Sequence, residues 1–333
     1  MENKVIKKPN IFNFATSELT QDAFIAWFLT WAKKEYADID RNLHNCAVDF
    51  VRKLLNKEDD FIIETIKVKT QWKHTDVSAE VNNQFFILIE DKTGTSEHSN
   101  QLNRYFDLAE DHYKNKKMTI VPIYFKMEEQ SNISKVEAAG YSVFTREKML
   151  AIFNSHELIT NNIFCDYRDY LNQLDEKINS FKTIRIDKWE SHQWIGFFST
   201  IQKEIGGEWN YVANPSGGFM GFWWHWCQKT LDEKKYAIYL QLEQNKLIFK
   251  VQVNEHRDQC IKLRDFCRKP LFEIAKQQDI CIEKYGKSGS YMGIAKLADD
   301  YRIVSDDLID LPFTIKNLKK MQQLLDLTIE KMP

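Results

Sequence analysis

The segment FFILIEDK, residues 85–92, is an apolar run that ends in Glu90, Asp91 and Lys92. Side chains alternate across a β-strand, so Glu90 and Lys92 should point to one face and Asp91 to the other. Charged groups that follow a buried strand must reach solvent at its end or be satisfied together. Asp76 lies upstream, close enough for a hairpin to return it beside Glu90. The spacing therefore predicts two carboxylates and one ammonium at one end of a sheet.

These three side chains suit the hydrolysis of phosphodiester bonds. Hard carboxylate oxygens, as in Asp76 and Glu90, are the ligands that Mg²⁺ prefers, and protein-bound Mg²⁺ keeps several waters. The metal lowers the pKa of a bound water and stabilises charge on the phosphate. A lysine such as Lys92 can position or activate the attacking water and offset developing charge.

Three more side chains are candidates for the same site. Gln101 and Tyr105 are four residues apart and share a face of the predicted helix. If that helix covers the sheet end, Gln101 could orient a metal-bound water and Tyr105 could contact a phosphate. Glu18, just before the first helix, is a candidate additional metal ligand or a partner of a metal-bound water. The alternatives are a surface glutamine, a core tyrosine and a helix-start carboxylate, and we interpret His98 as a loop histidine.

The pattern of Asp76, the strand that ends in Glu90-Asp91-Lys92, and Gln101-x-x-x-Tyr105 resembles the PD-(D/E)xK nuclease superfamily. The Gln-x-x-x-Tyr element is similar to that of its RecB-like branch. SELTQDAFIAWFL and IEDKTGTSEHSNQLNRY look like a bacterial PD-(D/E)xK family, over about residues 10–150. The resemblance implies a restriction-endonuclease-like core and Mg²⁺ or Mn²⁺, with Asp76, Glu90 and Lys92 at the metal and catalytic positions. Thr75 stands where the motif has proline, a loss that is common in the superfamily.

The periodicity of the N-terminal half predicts an α/β unit whose mixed sheet is flanked by helices. Apolar residues recur at helical spacing in the first helix, for which Thr20 is a plausible N-cap. The predicted elements are helices at 17–33 and about 46–55, strands at 61–72, 75–81 and 84–90, a helix at about 99–113, strands at 118–125 and 141–144, and a helix capped by Thr145.

A second, α+β domain is predicted for residues 184–333, after a nuclease-like domain at 1–183 that includes trailing helices. It matches no family that we can name, and we expect it to recognise a substrate or partner. Helices are predicted at 167–178, before this domain, and at 189–205, near its start. The elements predicted after them are a hairpin of strands 236–243 and 246–253, a helix at 258–277, a strand pair around 286–293 and a helix at 313–331.

Several motifs have an ordinary structural reading that we favour. FWWHW could stack on bases, but we predict a core strand with Phe222, Trp224 and Trp226 on one face. GKSGS at 286–290 lacks the upstream glycine spacing of a phosphate-binding loop, so we predict a turn. Two basic clusters could contact phosphates but are predicted to be solvated faces: Lys114, Lys116 and Lys117, and Lys262, Arg264, Arg268 and Lys269.

The bulk composition limits the function classes. Lys plus Arg is 46 and Asp plus Glu is 48, a net charge of -2, which argues against a generally basic nucleic-acid coat but leaves room for a local basic groove. The six cysteines form no CxxC pair, which favours reduced thiols. The start of the chain lacks the apolar core of a signal peptide, and no apolar run could span a membrane. We therefore expect a cytoplasmic protein that does not bind membranes.

Two hypotheses follow. The first is a Mg²⁺-dependent nuclease that acts on DNA in preference to RNA, and family analogy favours phage defence or restriction. The second is a catalytically silent nuclease-fold protein that binds or senses nucleic acid, since much of the chain is unassigned. In either case the C-terminal domain could mediate a homodimer or hold a partner subunit. Intact Asp76, Glu90 and Lys92 favour the enzyme.

Overall fold

The computed structural model describes residues 8–15, 17–93, 100–214, 217–231, 234–253, 257–287 and 289–332. The chain divides into two compact units, Met1–Glu176 and Lys177–Pro333. Within the described ranges, no helix has both the length and the apolar composition needed to cross a membrane.

The N-terminal unit has the predicted mixed sheet with flanking helices. Its sheet has the order β1-β2-β3-β4-β5, antiparallel from β1 to β3 and parallel from β3 to β5. The elements are helices α1 (Glu18–Thr30), α2 (Arg41–Leu54), α3 (Gln101–Tyr113), α4 (Ser134–Ala138), α5 (Arg146–Ser155) and α6 (Asn162–Asn179), and strands β1 (Ile66–Trp72), β2 (Thr75–Val81), β3 (Phe85–Lys92), β4 (Thr119–Lys126) and β5 (Ser142–Thr145).

Strand β3 is the centre of the sheet and is buried on both faces, as its continuous apolar run predicts. Ile87 and Ile89 pack into the core layer that includes residues of α1, α2, α5 and α6. Phe86 and Leu88 point the other way, into a layer with residues of α3 and α4. The alternation continues into the charged end of the strand, so Glu90 is directed toward the α3 layer and Asp91 toward the α1 layer.

Local hydrogen bonds explain where several elements begin. Ser17, not the predicted Thr20, is the residue that precedes α1. Thr145 caps α5 as predicted, with its hydroxyl accepting from the backbone of Lys148. Strand β1 begins later than predicted because the side chain of Asn82 accepts from the backbone N–H groups of Glu64 and Thr65. These groups are therefore satisfied outside the strand ladder.

The C-terminal unit has an antiparallel sheet with the order β10-β11-β9-β8-β7-β6. Helices α7, α8 and α9 contribute to one apolar core with one face of this sheet. The elements are α7 (Ser191–Ile205), β6 (Glu208–Val212), β7 (Phe219–Leu231), β8 (Lys234–Glu243), β9 (Lys246–Val253), α8 (Arg257–Gln277), β10 (Ile282–Lys284), β11 (Tyr291–Leu297), β12 (Val304–Ser305), β13 (Leu308–Ile309) and α9 (Leu311–Lys331).

The prediction that Phe222, Trp224 and Trp226 share a core face is wrong for Trp226. Phe222 and Trp224 are fully buried, whereas Trp226 is 44% exposed. The register of β7 against β8 shifts between Trp224 and Cys227, and His225 has a left-handed φ of 57°. A bulge adds one residue to the strand, so the side chain of Trp226 turns to the face opposite the helices and stacks on Tyr239.

Candidate active site at the end of strand β3

The hairpin between β2 and β3 brings Asp76 to the charged end of β3. The register pairs Val77 with Ile89, so Asp76 and Glu90 are the next residues along the two strands. The Oδ2 atom of Asp76 accepts a hydrogen bond of 2.8 Å from the backbone N–H of Asp91. The predicted meeting of the two carboxylates is therefore present, and Asp76 is fixed directly to the neighbouring strand.

Glu90 is 1% exposed, and two donors reach its carboxylate. Its Oε1 atom accepts from the Lys92 ammonium at 2.7 Å and from the Gln101 amide at 2.8 Å. Its Oε2 atom has no hydrogen-bond partner among the described residues. One oxygen of this carboxylate is thus held by two donors, while the other is buried without any.

Helix α3 covers the site through its first residue, Gln101. The Gln101 amide lies 3.3 Å from the hydroxyl of Tyr105, one turn further along the helix. Tyr105 is 5% exposed and packs in the α3 layer of the core. The Gln101 amide contacts the carboxylate of Glu90, and its predicted role in orienting a metal-bound water stays a prediction. His98 lies outside the described residues.

Glu18 also reaches the site, from the first turn of α1. Its Oε2 atom is 3.7 Å from the Lys92 ammonium, and about a third of its side chain is exposed. Lys92, which is 7% exposed, therefore lies between the carboxylates of Glu18 and Glu90. The structure places Glu18 beside the ammonium, and its predicted role as a metal ligand stays a prediction.

Comparison with known proteins places the chain in a family. A family model described as PD-(D/E)XK nuclease superfamily matches residues 9–192, more than half of the chain. The chain belongs to the PD-(D/E)XK nuclease superfamily. The match spans the entire mixed sheet of the N-terminal unit, including Asp76, Glu90 and Lys92. No curated protein and no solved structure matches the chain.

A second acidic pair in this PD-(D/E)XK protein was not predicted from the sequence. Asp91 is fully buried on the α1 side of β3 and accepts from the amide of Gln21. Its carboxyl group lies within hydrogen-bonding reach of Asp22, which is 4% exposed. Each of these two carboxyls has one oxygen without a donor among the described residues. The available signal was the position of Asp22 on the same helical face as Ile25 and Leu29.

Burial controls the ionisation of the site carboxyls. It raises the pKa of Glu90 to about 7; the charge of Asp76 adds to this effect, whereas the hydrogen bond from Lys92 opposes it. Burial also raises the pKa of Asp76, with the backbone bond from Asp91 acting in the opposite direction. Two desolvated carboxylates beside each other are costly in their charged forms. A cation between them would lower that cost.

The ammonium of Lys92 has the opposite balance. Burial lowers its pKa, but the hydrogen bond from its ammonium to Glu90 and the negative charges of Glu90, Asp76 and Glu18 raise it, and the net direction is upward. Lys92 is therefore a stable cation in the absence of metal.

The donor set fits a hard divalent cation. In the part of the chain that the structure describes, no group of three or more His, Cys, Asp or Glu side chains is arranged to hold a metal. Asp76 and Glu90 supply two adjacent carboxylates, and one oxygen of Glu90 has no donor among the described residues. Mg²⁺ is commonly bound by one or two carboxylates, with waters and substrate phosphate completing its coordination. The residues present fit that pattern.

Proposed function

We propose that this PD-(D/E)XK protein is a nuclease that uses Mg²⁺ or Mn²⁺ to hydrolyse phosphodiester bonds, with DNA as its substrate. The observation that carries the proposal is the state of Glu90. One of its oxygens is held by Lys92 and Gln101, and the other has no donor among the described residues. The carboxyl group of Glu90 lies within hydrogen-bonding reach of Asp76. This arrangement supports cation binding better than a structural ion pair, in which both oxygens would be satisfied.

Asp76 and Glu90 would hold the divalent cation. When bound, the cation lowers the pKa of a coordinated water and offsets charge on the scissile phosphate. The bond from the Asp91 backbone fixes Asp76, and the bond from Gln101 fixes Glu90. Both carboxylates are therefore positioned before the substrate binds, which avoids a reorganisation cost during the reaction.

Lys92 would orient the attacking water and stabilise negative charge on the phosphate. Its ammonium is anchored by Glu90 at 2.7 Å and lies near Glu18 at 3.7 Å. A general base works best when its pKa is close to the working pH, and the pKa of Lys92 is raised. We therefore assign Lys92 an electrostatic and orienting role and not that of the proton acceptor.

Gln101 and Tyr105 would act from helix α3 as positioning residues. The Gln101 amide donates to Glu90 and lies 3.3 Å from the Tyr105 hydroxyl. Since Tyr105 is largely buried, it supports the orientation of Gln101 more directly than it could contact a phosphate.

The test measures cleavage of supercoiled plasmid, linear duplex, single-stranded DNA and RNA with Mg²⁺ or Mn²⁺. We expect Lys92→Ala and Asp76→Asn to lose at least about a hundredfold in rate, because each removes charge stabilisation at the reacting phosphate. The matched control is Lys135→Ala, which removes an exposed lysine on α4. Equal cleavage by the wild type and all three variants would show that a contaminant cleaves the substrate and would contradict the proposal.

A catalytically silent, nucleic-acid-binding protein is the alternative outcome. It would bind DNA in the same assays but show no cleavage with either metal, and titration calorimetry would detect no Mg²⁺ binding that depends on Asp76. A role in phage defence or restriction is part of the proposal by family analogy alone.

A further inference from the structure

The C-terminal sheet presents a polar and aromatic face opposite its helices. Ile238, Leu240, Phe249 and Val251 point into the core that contains α7, α8 and α9. Side chains alternate along a strand, so the intervening residues point to the other side. We call this side the open face and define it by Trp226, Tyr239, Lys250, Gln252 and Tyr291.

Trp226 and Tyr239 form a flat aromatic platform on the open face. Their ring centroids are 3.8 Å apart and the ring planes differ by 10°. Tyr239 is 3% exposed beneath the stack, while Trp226 is 44% exposed above it. One side of the indole is therefore covered by tyrosine and the other is directed to solvent. The β-bulge at His225 sets this orientation. The Nε2 atom of His225 is hydrogen-bonded to Oδ1 of Asp326 at 2.7 Å.

Lys250 lies next to this platform in the middle of the sheet. It is the register partner of Tyr239 on β8 and of Gly293 on β11. The lysine is half-buried, and its ammonium has no hydrogen bond or ion pair within the described part of the chain. Burial lowers its pKa, against the charge of Glu243. An ammonium that is partly removed from water and has no direct counter-ion is a natural contact for an anion.

Tyrosines extend the open face beyond Lys250. Tyr291 is 62% exposed, and its hydroxyl accepts from the amide of Gln252 at 3.2 Å. Tyr285 lies over Gly293, where a Cβ atom would come within 2.9 Å of its ring. The face thus carries flat rings on both sides of one cationic group.

We propose that the open face binds single-stranded nucleic acid, with an unpaired base stacked on the exposed side of Trp226 and a phosphate at Lys250. Nucleic acid is chosen as the ligand because of the nuclease function proposed above. Stacking on aromatic side chains accepts any base, and a basic groove follows the backbone. Bases inside a duplex are already stacked on each other, so they cannot present a flat surface to Trp226.

Charge argues against an apolar protein partner on this face. Such a partner would bury Lys250 without a counter-ion, which is costly, and would cover the hydroxyl of Tyr291 and the amide of Gln252. A phosphate supplies the missing counter-ion. The inference gives the C-terminal unit the role of selecting substrates that contain unpaired nucleotides.

The experiment measures binding without cleavage, using the full-length Lys92→Ala protein in EDTA. The probes are a fluorescein-labelled oligo(dT) and a labelled duplex, followed by fluorescence anisotropy. We expect Trp226→Ala to raise Kd for oligo(dT) about tenfold, with Trp226→Phe retaining most of the affinity. Lys250→Gln should reduce the slope of log Kd against log salt by about 0.7, the value for one phosphate of a single strand. Duplex binding should stay unchanged in all three variants.

Matched controls remove similar groups elsewhere in the same unit. Tyr211→Ala removes a tyrosine that is 59% exposed on β6, where alternation places it on the same side as Trp209. Lys276→Gln removes an exposed lysine in the last turn of α8. Neither should change the affinity for oligo(dT). Circular dichroism and thermal unfolding show whether each variant is folded.

Two outcomes would overturn the inference. One is a Kd for oligo(dT) that is the same for Trp226→Ala, Lys250→Gln and both controls. The other is concentration-dependent dimerisation by sedimentation that Trp226→Ala abolishes, which would make a second copy of the chain the occupant. Because binding is measured without turnover, a failure of the nuclease proposal is seen separately, as intact single-strand binding by a wild-type protein that does not cut.

Discussion

At the scale of single residues, more carboxyl groups lie at the end of β3 than are needed to bind one cation. Glu90 pairs with Lys92 and lies beside Asp76, whereas Asp91 is turned to the α1 side and faces Asp22. Burial raises the pKa of Asp22 to about 7 and that of Asp91 well above its usual value, and in each case the charge of a neighbouring aspartate adds to the effect. A single proton shared by Asp22 and Asp91 would satisfy an oxygen on each.

These shifts predict how the stability of the metal-free protein depends on pH. A carboxyl whose pKa is raised in the folded state binds protons more tightly there than in the unfolded chain. Its contribution to stability is therefore fully present below the unfolded value of about 4 and is lost as the pH rises through the folded value. Because the pKa values of Asp22 and Asp91 are raised, we expect the free energy of unfolding to fall as the pH rises from about 4 to about 7.

Asp22→Asn tests that assignment, because an amide can donate to Asp91 and carries no charge. We expect the variant to have a higher Tm than wild type at about pH 8 and a similar Tm at about pH 5. The control is Asp59→Asn, at an exposed position. If wild type and both variants show the same change of Tm with pH, the pair does not titrate as described.

At the scale of elements, the edge strand β1 carries a basic row beside the site. Lys67 and Lys69 are exposed, and the register places them in line with Phe86 and Leu88, through Glu80 and Ser78 of β2. They therefore lie on the face of the sheet toward which Glu90 points. Lysines on an edge strand also discourage pairing with other chains, so their contribution to substrate binding needs a direct test.

The double variant Lys67→Gln/Lys69→Gln supplies that test. If both lysines contact phosphates, Kd for duplex DNA should rise and the slope of log Kd against log salt should fall by about two. Fluorescence anisotropy on a Lys92→Ala background measures both. Lys53→Gln/Lys135→Gln removes two exposed lysines from α2 and α4 and should leave the slope unchanged. An equal decrease of this slope in both double variants would indicate a general effect of net charge.

At the scale of the whole molecule, the two units have separate apolar cores. The N-terminal layers contain core residues between Phe12 and Leu171, and the C-terminal core contains those between Phe181 and Met332. The family match ends at residue 192, near the start of α7. A protein with two cores can unfold in two steps.

Calorimetry should therefore resolve two unfolding transitions. A saturating concentration of Mg²⁺ should raise the midpoint temperature of only the transition that reports the N-terminal unit. The shift arises because a ligand stabilises the unit that binds it. Leu240→Ala identifies the other transition, since its side chain is fully buried in the C-terminal core and its loss should cost about 2–5 kcal/mol. A single transition that moves as a whole with Mg²⁺ would contradict this assignment.

The features of this protein that depend on local periodicity can be predicted from its sequence. A period of two fixes which residues of β3 share a face, so Glu90 and Lys92 meet while Asp91 is turned away. Helical spacing of four residues likewise puts Gln101 beside Tyr105. The short spacing between Asp76 and Glu90 likewise predicts the hairpin that pairs the strand of Asp76 with β3.

Contacts that depend on packing between distant segments could not be predicted from the sequence. The pairing of Asp22 with Asp91 and the approach of Glu18 to Lys92 need helix α1 laid against β3, and no local repeat encodes that placement. Trp226 lies on the face opposite to the predicted one because the backbone of His225 adopts a left-handed φ, which inverts the alternation of side chains after it. Periodicity fixes a face only while the register is unbroken, so the open face of the C-terminal sheet became visible only in the folded chain.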